Sequence, residues 1–260
     1  MLSKNKAKLI MALKKKKVRE EEGLFVIEGD KLVKEFLIAK IPLKMLIAKP
    51  EFLRSLTPEM RRLTDDIDEV NSDELRHIST LKNPQNSLAL VKIKEKIQDT
   101  NKILRGLTAA LDSVQDPGNL GTIIRAAAWF GIKNIVCSHN CADIYNPKVI
   151  QASMGAVLYV DVYYSDLKIL LGLACEKMIP VFGTMLEGES IYDHKLGNNG
   201  IIILGNESKG ISAELVPFIT DKIMIPGSGR SKPGIDSLNV GMAASVVFSE
   251  FLRKSVMLKE

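Results

Sequence analysis

The sequence predicts an α/β fold in two domains, and three observations support this prediction. Short apolar runs alternate with segments of helical periodicity along most of the 260 residues, a pattern typical of sheets flanked by helices. Hydrophobic residues make up 46% of the chain, which is enough for a sizeable core. A charged stretch with little apolar content, residues 94–105, interrupts the pattern and is predicted to be a linker or a short connecting helix. We therefore predict one domain at residues 1–98 and another at residues 107–260, joined by a linker at residues 99–106.

The first domain is predicted to alternate between helices and short strands. A helical segment with an apolar side covers residues 4–19, and a run of four lysines at residues 14–17 lines its polar face. Strands are then predicted at residues 24–28, 44–48, 66–70 and 88–93, and helices at residues 31–39, 50–56 and 72–79. This order of elements predicts a small layered α/β domain.

The second domain is predicted to begin with a strand at residues 107–114 and a helix at residues 119–130. Asn119 is a favourable residue to cap this helix, and Gly131 follows where a glycine commonly ends one. Further strands are predicted at residues 132–138, 156–162, 180–184, 201–204 and 222–225, and further helices at residues 147–153, 166–177 and 240–251 and from residue 212. Because strands and helices alternate, we expect a mostly parallel sheet.

The last quarter of the chain contains two short apolar strands that each run into a glycine-rich loop. The run Ile201–Leu204 ends at Gly205, and the run Lys222–Ile225 leads into a loop that closes with Ser237-Leu238-Asn239. Ligands of open α/β sheets bind at the carboxyl ends of the strands, where such loops present their backbone amides. The sequence therefore predicts a ligand site formed by these two loops.

Neither glycine-rich loop matches a common nucleotide-binding motif. Gly205 and Gly210 have the spacing of a phosphate-binding P-loop, but Ile211 stands where the phosphate-binding lysine belongs. In the second loop the glycine spacing departs from G-x-G-x-x-G, and the loop follows the last strand rather than the first. We interpret both loops as turns in which glycine lets the backbone approach a ligand closely.

Three motifs occur in order in the second domain. The first is the segment DPGNLGTIIR at residues 116–125, and the second is Gly205-Asn206-Glu207 with Gly210. The third is Ile225-Pro226 together with the segment SLNV at residues 237–240. In sequence and spacing these motifs resemble those of the SpoU (TrmH-like) RNA ribose 2'-O-methyltransferases of the SPOUT superfamily. The resemblance is close over about residues 107–251 and looser before them, where the segment FVIEG at residues 25–29 is the most similar.

The resemblance implies more about the fold than the residue pattern does. It implies that the first domain is similar to ribosomal protein L30e and holds RNA. It also implies that the C-terminal stretch passes through a loop to form a trefoil knot, a feature that general folding rules would exclude. The family's members are homodimers whose sites form near the subunit interface, so we expect a homodimer.

The resemblance implies an activity as well. The expected reaction transfers a methyl group from S-adenosylmethionine to a ribose 2'-hydroxyl of RNA, without a metal because the methyl sulfonium is already activated. Ribosomal RNA is the expected substrate, since the N-terminal extension resembles that of family members that act on rRNA. The alternatives are a tRNA 2'-O-methyltransferase, a resistance enzyme that modifies a ribosomal drug site, and a non-catalytic RNA-binding or ribosome-assembly factor.

The resemblance assigns the residues of the site. Catalytic roles are implied for Asn119, Arg125, Glu207, Ser237 and Asn239, and contacts with the cofactor for Thr184, Leu204, Gly205, Asn206, Ile225, Pro226, Gly229, Ser237 and Leu238. The same residue types also have ordinary structural roles, because asparagine caps helices, glutamate accepts backbone amides, serine and asparagine occur in turns, and Ile225 and Leu238 suit a core.

Arg125 matches the arginine that the family is proposed to use in catalysis. An arginine is a poor base because its pKa exceeds about 12. Stabilising the developing alkoxide or binding a phosphate is therefore the better role, with proton abstraction kept as a second hypothesis. A lone arginine on an apolar helix is, in general, more often a solvated residue or an ion-pair partner.

The distribution of charged residues along the chain indicates a polyanionic partner. The net charge of +5 arises in the first 100 residues, which hold 21 Lys and Arg against 16 Asp and Glu. Eight basic and no acidic residues lie within residues 1–19, which predicts either contact with nucleic acid or a solvated, partly disordered tail.

Other residue types indicate what is not expected. The spacing of the three histidines and three cysteines fits no zinc motif, so we expect no metal. No signal peptide or membrane span is evident, and buried free thiols at Cys137, Cys141 and Cys175 are expected of a cytoplasmic protein. Trp129 and Phe130 suit core or dimer packing, with a base-stacking platform as the alternative.

Two positions depart from the family pattern. The segment between Pro226 and Ser237 is longer than the usual loop, which allows an altered loop closure or an additional RNA contact. Gly241 stands where a serine commonly follows the SLNV segment.

Overall fold

A computed structural model of the chain describes residues 2–94, 99–228 and 237–257. The chain divides into two compact units, one formed by Met1–Glu95 and Asp143–Leu158 and the other by Lys96–Ala142 and Tyr159–Glu260. A short stretch from the middle of the sequence is thus part of the N-terminal unit.

The bounds of the elements follow the predicted alternation closely. The helices are α1 Lys4–Ala12, α2 Lys16–Glu22, α3 Asp30–Ile38, α4 Pro50–Arg54, α5 Pro58–Arg62, α6 Ser72–Ile78, α7 Thr100–Ile103, α8 Pro117–Trp129, α9 Pro147–Ser153, α10 Leu167–Glu176 and α11 Val240–Met257. The strands are β1 Leu24–Glu28, β2 Leu43–Ala48, β3 Ile67–Glu69, β4 Ser87–Lys92, β5 Leu107–Leu111, β6 Asn134–Cys137, β7 Asp161–Tyr164, β8 Val181–Ser190, β9 Gly200–Leu204 and β10 Asp221–Met224. Two 3₁₀ turns, Ala156–Leu158 and Val216–Phe218, complete the described structure.

The N-terminal unit is built on a four-stranded sheet in the order β1-β4-β2-β3. Strands β1, β4 and β2 pair antiparallel, and β2 and β3 pair parallel. All of β1 is buried, and its alternate residues enter two different apolar clusters: Phe25 and Ile27 pack with α3 and α4, whereas Leu24 and Val26 pack with α1 and α6. Helices therefore cover both faces of this sheet.

The second unit is built on a six-stranded sheet in the order β10-β8-β9-β5-β6-β7, and every pairing in it is parallel. The prediction of a mostly parallel sheet is therefore confirmed for this unit. The central strands β5 and β9 are almost completely buried, with Ala109, Ala110, Ile202 and Ile203 each 0% exposed. Because all six strands point the same way, the loops that follow β5, β8, β9 and β10 meet at one edge of the sheet.

Four predicted elements differ in the structure. The helix predicted over residues 4–19 is two helices, because the guanidinium of buried Arg19 donates to the carbonyls of Leu13 and Lys14 between them. The strand predicted at residues 156–162 begins only at Asp161. Met154 and Gly155, both with positive φ, turn the chain before it.

The other two differences lie in the second unit. In the described structure no α-helix forms from residue 212, where only the 3₁₀ turn Val216–Phe218 is present. The amide of Ser212 donates to the buried carboxylate of Asp112. Strand β8 continues to Ser190 rather than ending at residue 184, because β10 pairs with it along this extension.

Candidate active site

Helix α8 places Asn119 at the carboxyl edge of the six-stranded sheet. Asp116 caps this helix by accepting the amide of Asn119 at 2.9 Å, and Pro117 occupies the first turn. The prediction that Asn119 caps the helix is therefore wrong, because the cap lies three residues earlier. As a result the side chain of Asn119 is available for contacts outside its own helix.

The side chain of Asn119 joins two distant parts of the chain. Its Nδ2 donates to Oε1 of Glu207 at 2.7 Å, and its Oδ1 accepts from Nδ2 of Asn239 at 2.9 Å. Glu207 lies in the turn after β9, and Asn239 lies at the start of α11. The three residues thus form one hydrogen-bonded chain that links the three sequence motifs.

Asn239 also fixes the start of α11. Its Oδ1 accepts the amides of Gly241 at 2.9 Å and Met242 at 3.3 Å, which makes it the side-chain cap of this helix. A Cβ atom on Gly241 would lie 3.0 Å from Cγ2 of Thr122 on α8. Glycine at this position, where the family commonly has serine, therefore fits the close approach of α11 to α8.

The turn after β9 is held by backbone and side-chain bonds. Asn206 and Gly210 exchange two backbone hydrogen bonds of 2.9 Å, and Asn206 Oδ1 accepts the amides of Ser208 and Lys209. Asn206 Nδ2 donates to the carbonyl of Ser113 at 2.8 Å, which ties the turn to the loop after β5. This turn presents Glu207 to Asn119.

Gly205 is required by the tightness of this turn. A Cβ atom on it would lie 2.3 Å from the carbonyl carbon and 2.5 Å from the carbonyl oxygen of Gly210, and 2.5 Å from the amide nitrogen of Ile211. All three atoms belong to the backbone, so no side chain can move aside. The sequence suggested that glycine here lets a ligand approach the backbone closely. In the structure, the atoms that approach Gly205 belong to the chain's own backbone.

The remaining predicted cofactor positions lie at the same edge of the sheet. Thr184 on β8 donates to the carbonyl of Ile203 at 2.8 Å, and Leu204 is buried at the end of β9. Ile225 is half-buried and Pro226 is exposed, immediately after β10. Leu238 is 52% exposed, which excludes the alternative that it is an ordinary core residue. Ser237 is exposed beside it, and Gly229 lies outside the described residues.

Arg125 lies on the exposed side of α8. It follows Asn119 by six residues, a rise of about 9 Å along the helix axis. At 3.6 residues per turn, the same six residues place the Arg125 side chain about 120° around the helix from that of Asn119.

Two supporting residues were not predicted. Asp112 is only 4% exposed, and its Oδ2 accepts the amide of Ser212 at 2.7 Å, which anchors the segment after the Gly205–Gly210 turn. The signal available in the sequence was an acidic residue directly after an apolar strand. Ser113, whose carbonyl binds Asn206, has a φ of 57°, an uncommon conformation for serine.

Cys141 supports the loop after β5 from the other side. Its Sγ accepts the amide of Val114 at 3.3 Å and lies 3.2 Å from the carbonyl of Leu111. The neighbouring thiol of Cys137 lowers the pKa of Cys141 to about 7, and the pKa of buried Cys137 is raised by the same contact. Cys137 and Cys141 are buried free thiols as expected, whereas Cys175 is exposed, so that part of the prediction is wrong.

The described residues show neither a metal-ligand cluster nor a membrane-spanning helix. Within residues 2–94, 99–228 and 237–257, no group of three His, Cys, Asp or Glu side chains is arranged to hold a metal ion. No helix in these ranges is long and apolar enough to cross a membrane.

Comparisons with known proteins agree with the motifs. The family model described as SpoU rRNA Methylase matches residues 106–249, and the model described as MRM3-like substrate binding domain matches residues 4–89. A relative from Bacillus subtilis (strain 168), the 23S rRNA (guanosine(2553)-2'-O)-methyltransferase RlmP, is 28% identical over 89% of this chain and 90% of its own length.

Two solved structures are similar over nearly the whole chain. A putative RNA methyltransferase of the TrmH family from Porphyromonas gingivalis is 36% identical, with a TM-score of 0.86 over 98% of this chain and 100% of that one. An AdoMet-bound rRNA methyltransferase from Sinorhizobium meliloti is 26% identical, with a TM-score of 0.82 over 97% and 96% of the two chains.

Proposed function

Because this chain belongs to the SpoU rRNA methylase family, we propose that it transfers a methyl group from S-adenosylmethionine to a ribose 2'-hydroxyl of ribosomal RNA. The observation that carries the proposal is the hydrogen-bonded chain from Asn239 through Asn119 to Glu207. It joins residues of all three motifs at the carboxyl edge of a parallel sheet. The relative from Bacillus subtilis is named for 2'-O-methylation of 23S rRNA, which supports rRNA as the substrate class.

Strand β8, with Thr184, and the ends of β9 and β10 with the loops after them are the proposed cofactor site. Thr184, Leu204, Gly205, Asn206, Ile225, Pro226, Gly229, Ser237 and Leu238 are the residues proposed to hold the cofactor. Among their described members, the exposed apolar side chain of Leu238 supports this role, because it suits apolar contact with adenosine. When bound, S-adenosylmethionine supplies a methyl group on a positively charged sulfur, and the AdoMet-bound structure from Sinorhizobium meliloti supports this cofactor.

The catalytic roles follow from the chemistry of each side chain. As the ribose oxygen loses its proton it gains negative charge, and the guanidinium of Arg125 is proposed to stabilise that charge or to bind an adjacent phosphate. Glu207 accepts from Asn119 through one oxygen, which leaves its other oxygen able to accept a ribose hydroxyl. Asn119 and Asn239 position Glu207, and Ser237 is proposed to orient the substrate through its hydroxyl.

The N-terminal unit is proposed to hold the RNA. We infer an L30e-like domain for residues 1–98, a linker at residues 99–106 and a methyltransferase domain at residues 107–260. The match of residues 4–89 to a substrate-binding family model supports this division. In the methyltransferase domain we propose the family's trefoil knot, in which the C-terminal stretch passes through a loop; an experimental structure that traces the whole chain tests it.

A homodimer in the cytoplasm is proposed for the working enzyme. Exposed apolar side chains on the two packed helices α8 and α11 support it, since Trp129 is 82% and Met242 is 60% exposed. The exposure of Trp129 excludes a core position for it in a single chain and favours the dimer-packing alternative. Light scattering of the purified protein tests the proposal, and a monomer that remains active would contradict it.

Mapping of ribose methylation in total RNA tests the function directly. RNA from cells with and without the gene is compared, and the loss of one or a few 2'-O-methyl groups from rRNA is the expected result. Loss of a site in tRNA instead would favour the tRNA alternative. No lost site, together with no binding of S-adenosylmethionine by calorimetry, would favour a non-catalytic RNA-binding factor.

Replacing Arg125 tests the mechanism. Because Arg125 is exposed, Arg125→Ala is expected to change the free energy of unfolding by less than about 0.5 kcal/mol. Turnover should fall by about 100-fold or more, since charge stabilisation in the transition state is lost, while S-adenosylmethionine binding persists. Arg76→Ala, at an exposed arginine on α6, is the matched control. Near-normal turnover of Arg125→Ala would remove Arg125 from the mechanism.

A further inference from the structure

The turn between α1 and α2 carries a run of lysines, and a buried arginine fixes its backbone. Arg19 is 2% exposed, and its Nη1 donates to the carbonyls of Leu13 at 2.8 Å and Lys14 at 2.9 Å. Its Nε donates to Oδ2 of Asp143 at 3.1 Å, so the buried charge is paired. These bonds restrain the turn, while the lysine side chains at residues 14–17 all stay exposed.

The positive charge of α1 and this turn is largely uncompensated. Lys16 and Lys17 approach Glu20 and Glu21 only at 3.7 and 3.8 Å, in exposed i,i+4 pairs that contribute little. In the part of the chain that the structure describes, four further exposed lysines form no ion pair: Lys4, Lys8, Lys14 and Lys15. These six lysine side chains together are the basic surface of the N-terminal unit, and they favour an anionic partner.

The lysines at residues 15–17 are placed unfavourably for the helix that they begin. The N-terminus of a helix carries partial positive charge, so acidic side chains or a polar cap are preferred there. Helix α2 has neither an acidic residue in its first turn nor a side-chain cap, and its three glutamates, residues 20–22, all lie in its last turn. Such a local conflict is expected where function rather than stability determines the residues, and a bound anion relieves it.

The basic surface has no group on which a base can stack. Residues 4–22 contain no aromatic or histidine side chain, and their one arginine is the buried Arg19. Proteins that bind unpaired bases stack them on aromatic rings or on arginine planes. RNA double helices are instead recognised mainly through their shape, their phosphates and their 2'-hydroxyls. A surface of lysines alone therefore suits the backbone of paired RNA better than an unpaired segment.

We propose that the basic surface of α1 and α2 binds the phosphate backbone of a double-helical segment of the substrate RNA. The proposal rests on the proposed function, because the rRNA that is methylated supplies this segment. Phosphate contacts fix the position of the RNA on the protein but carry no sequence information, so the surface does not select the nucleotide. Because the turn is already restrained, it loses little conformational freedom when it binds.

RNA binding by the full chain at several salt concentrations tests the basic surface. The probes are a fluorescent RNA hairpin and an oligouridylate of equal length, and anisotropy measures their affinity. The surface variant combines three substitutions at unpaired lysines: Lys8→Gln, Lys14→Gln and Lys15→Gln. The control variant changes the net charge equally at three exposed lysines of the second unit: Lys133→Gln, Lys195→Gln and Lys222→Gln.

The surface variant is expected to bind the hairpin at least about tenfold more weakly than the wild type does. The plot of the logarithm of its association constant against that of salt concentration should be shallower by about 2–3, since each lost phosphate contact removes about one unit. The control variant should keep the affinity and slope of the wild type. Both variants should melt as the wild type does, because the changed side chains are exposed.

Methyl transfer distinguishes a failure of this proposal from a failure of the proposed function. If the wild type methylates rRNA but the surface variant keeps its hairpin affinity and salt slope, the basic surface is not the RNA contact and the proposed function stands. If hairpin binding weakens as expected in a chain that binds no S-adenosylmethionine, the surface stands and the proposed function fails. The proposal is also overturned if the control variant weakens binding equally, or if the wild type binds the oligouridylate as tightly as the hairpin.

Discussion

Asn119 and Asn239 each use both ends of one amide group, and the capped helix sets their orientation. Backbone amides at the start of α11 can only donate, so Oδ1 of Asn239 must face them and its Nδ2 must face Asn119. Asn119 therefore turns its own Oδ1 to Asn239 and its Nδ2 to Glu207, whose ionised carboxylate only accepts. The direction of every donor in the chain follows from the helix terminus.

Asn239→Asp keeps the helix cap but removes the hydrogen bond that Asn239 donates to Asn119. Aspartate caps helices about as well as asparagine, so the free energy of unfolding should stay within about 0.5 kcal/mol of the wild type. The variant has no N–H to give Asn119, and no rotation of Asn119 can then satisfy both of its neighbours. Turnover is therefore expected to fall by about 10-fold to 100-fold at near-normal stability. Asn71→Asp, at the cap of α6, is the control whose activity should not change. Equal turnover of Asn239→Asp and the wild type would show that the hydrogen-bonded chain is only structural.

Cys141 makes part of the stability depend on pH. The adjacent Cys137 thiol, the largest cause, lowers the pKa of Cys141 to about 7 from a usual value near 9.0. A lowered pKa in the folded state contributes stability above the unfolded value, and this contribution is lost as pH falls through the folded value. Relative to Cys141→Ser, the wild type should therefore gain about 1–2 kcal/mol of unfolding free energy between pH 7 and pH 9.

Denaturant unfolding at several pH values measures this difference. Both proteins carry Cys175→Ser, so that the exposed thiol does not react during the experiment. A difference between wild type and Cys141→Ser that is flat from pH 6 to pH 9, or that shrinks as pH rises, would contradict the lowered pKa.

At the scale of elements, sequence patterns were sufficient wherever local signals decide the structure. Strand β1 and helix α9 have the predicted bounds, because an apolar run and a proline at the first helical turn are local features. The patterns failed where a distant group decides the structure. Asp112 accepts the amide of Ser212, 100 residues away, at the segment where a helix was predicted and only a 3₁₀ turn forms. The extension of β8 exists only because β10 pairs with it.

The same distinction applies to the site. The motifs identified Asn119, Glu207 and Asn239 as one group, and the structure brings them into direct contact. What joins them could not be predicted from residue spacing alone, because the cap at Asp116 that frees Asn119 competes with an equally plausible cap at Asn119 itself.

Gly205→Ala should disrupt the turn after β9. The added Cβ would overlap the backbone of Gly210 and Ile211 at 2.3–2.5 Å, so the turn must open. We expect a loss of about 2–3 kcal/mol of unfolding free energy and a large loss of S-adenosylmethionine binding. Gly172→Ala, on α10 and outside the proposed cofactor site, is the matched control, since its Cβ would lie no closer than 3.9 Å to another atom. Calorimetric cofactor titrations of the two variants measure the contrast, and equal effects would contradict a specific role for the turn.

At the scale of the whole molecule, the basic N-terminus is more ordered than its charge suggests. Residues 4–22 form α1 and α2 rather than a disordered tail, and the side chains of Ile10 and Leu13 are buried. Within the part of the chain that the structure describes, four of the eight basic residues of residues 1–19 form ion pairs with acidic ones: Lys6, Lys16, Lys17 and Arg19. The other four are therefore the candidates for contact with RNA, and Arg19, at 2% exposure, has a structural role.

The segment Asp143–Leu158 makes the N-terminal unit depend on residues from the middle of the chain. Its Asp143 pairs with buried Arg19, and Gln151 Nε2 donates to the carbonyl of Glu28 at 2.6 Å at the end of β1. Ile150, 1% exposed, packs in the same apolar cluster as Phe25 and Ile27 of β1. The unit thus folds around a helix that lies more than a hundred residues away in the sequence.

Ile150→Ala tests this arrangement in the full chain. Loss of a buried isoleucine side chain should lower the stability of the N-terminal unit by about 2–4 kcal/mol. Hydrogen exchange should therefore speed up in β1 and β4, although both are remote in sequence, and stay slow in β6 and β7, which flank the segment along the chain. Lys148→Ala, at an exposed residue of the same helix α9, should leave all four strands protected. If exchange rose in β6 and β7 while β1 and β4 stayed protected, the segment would belong to the second unit instead.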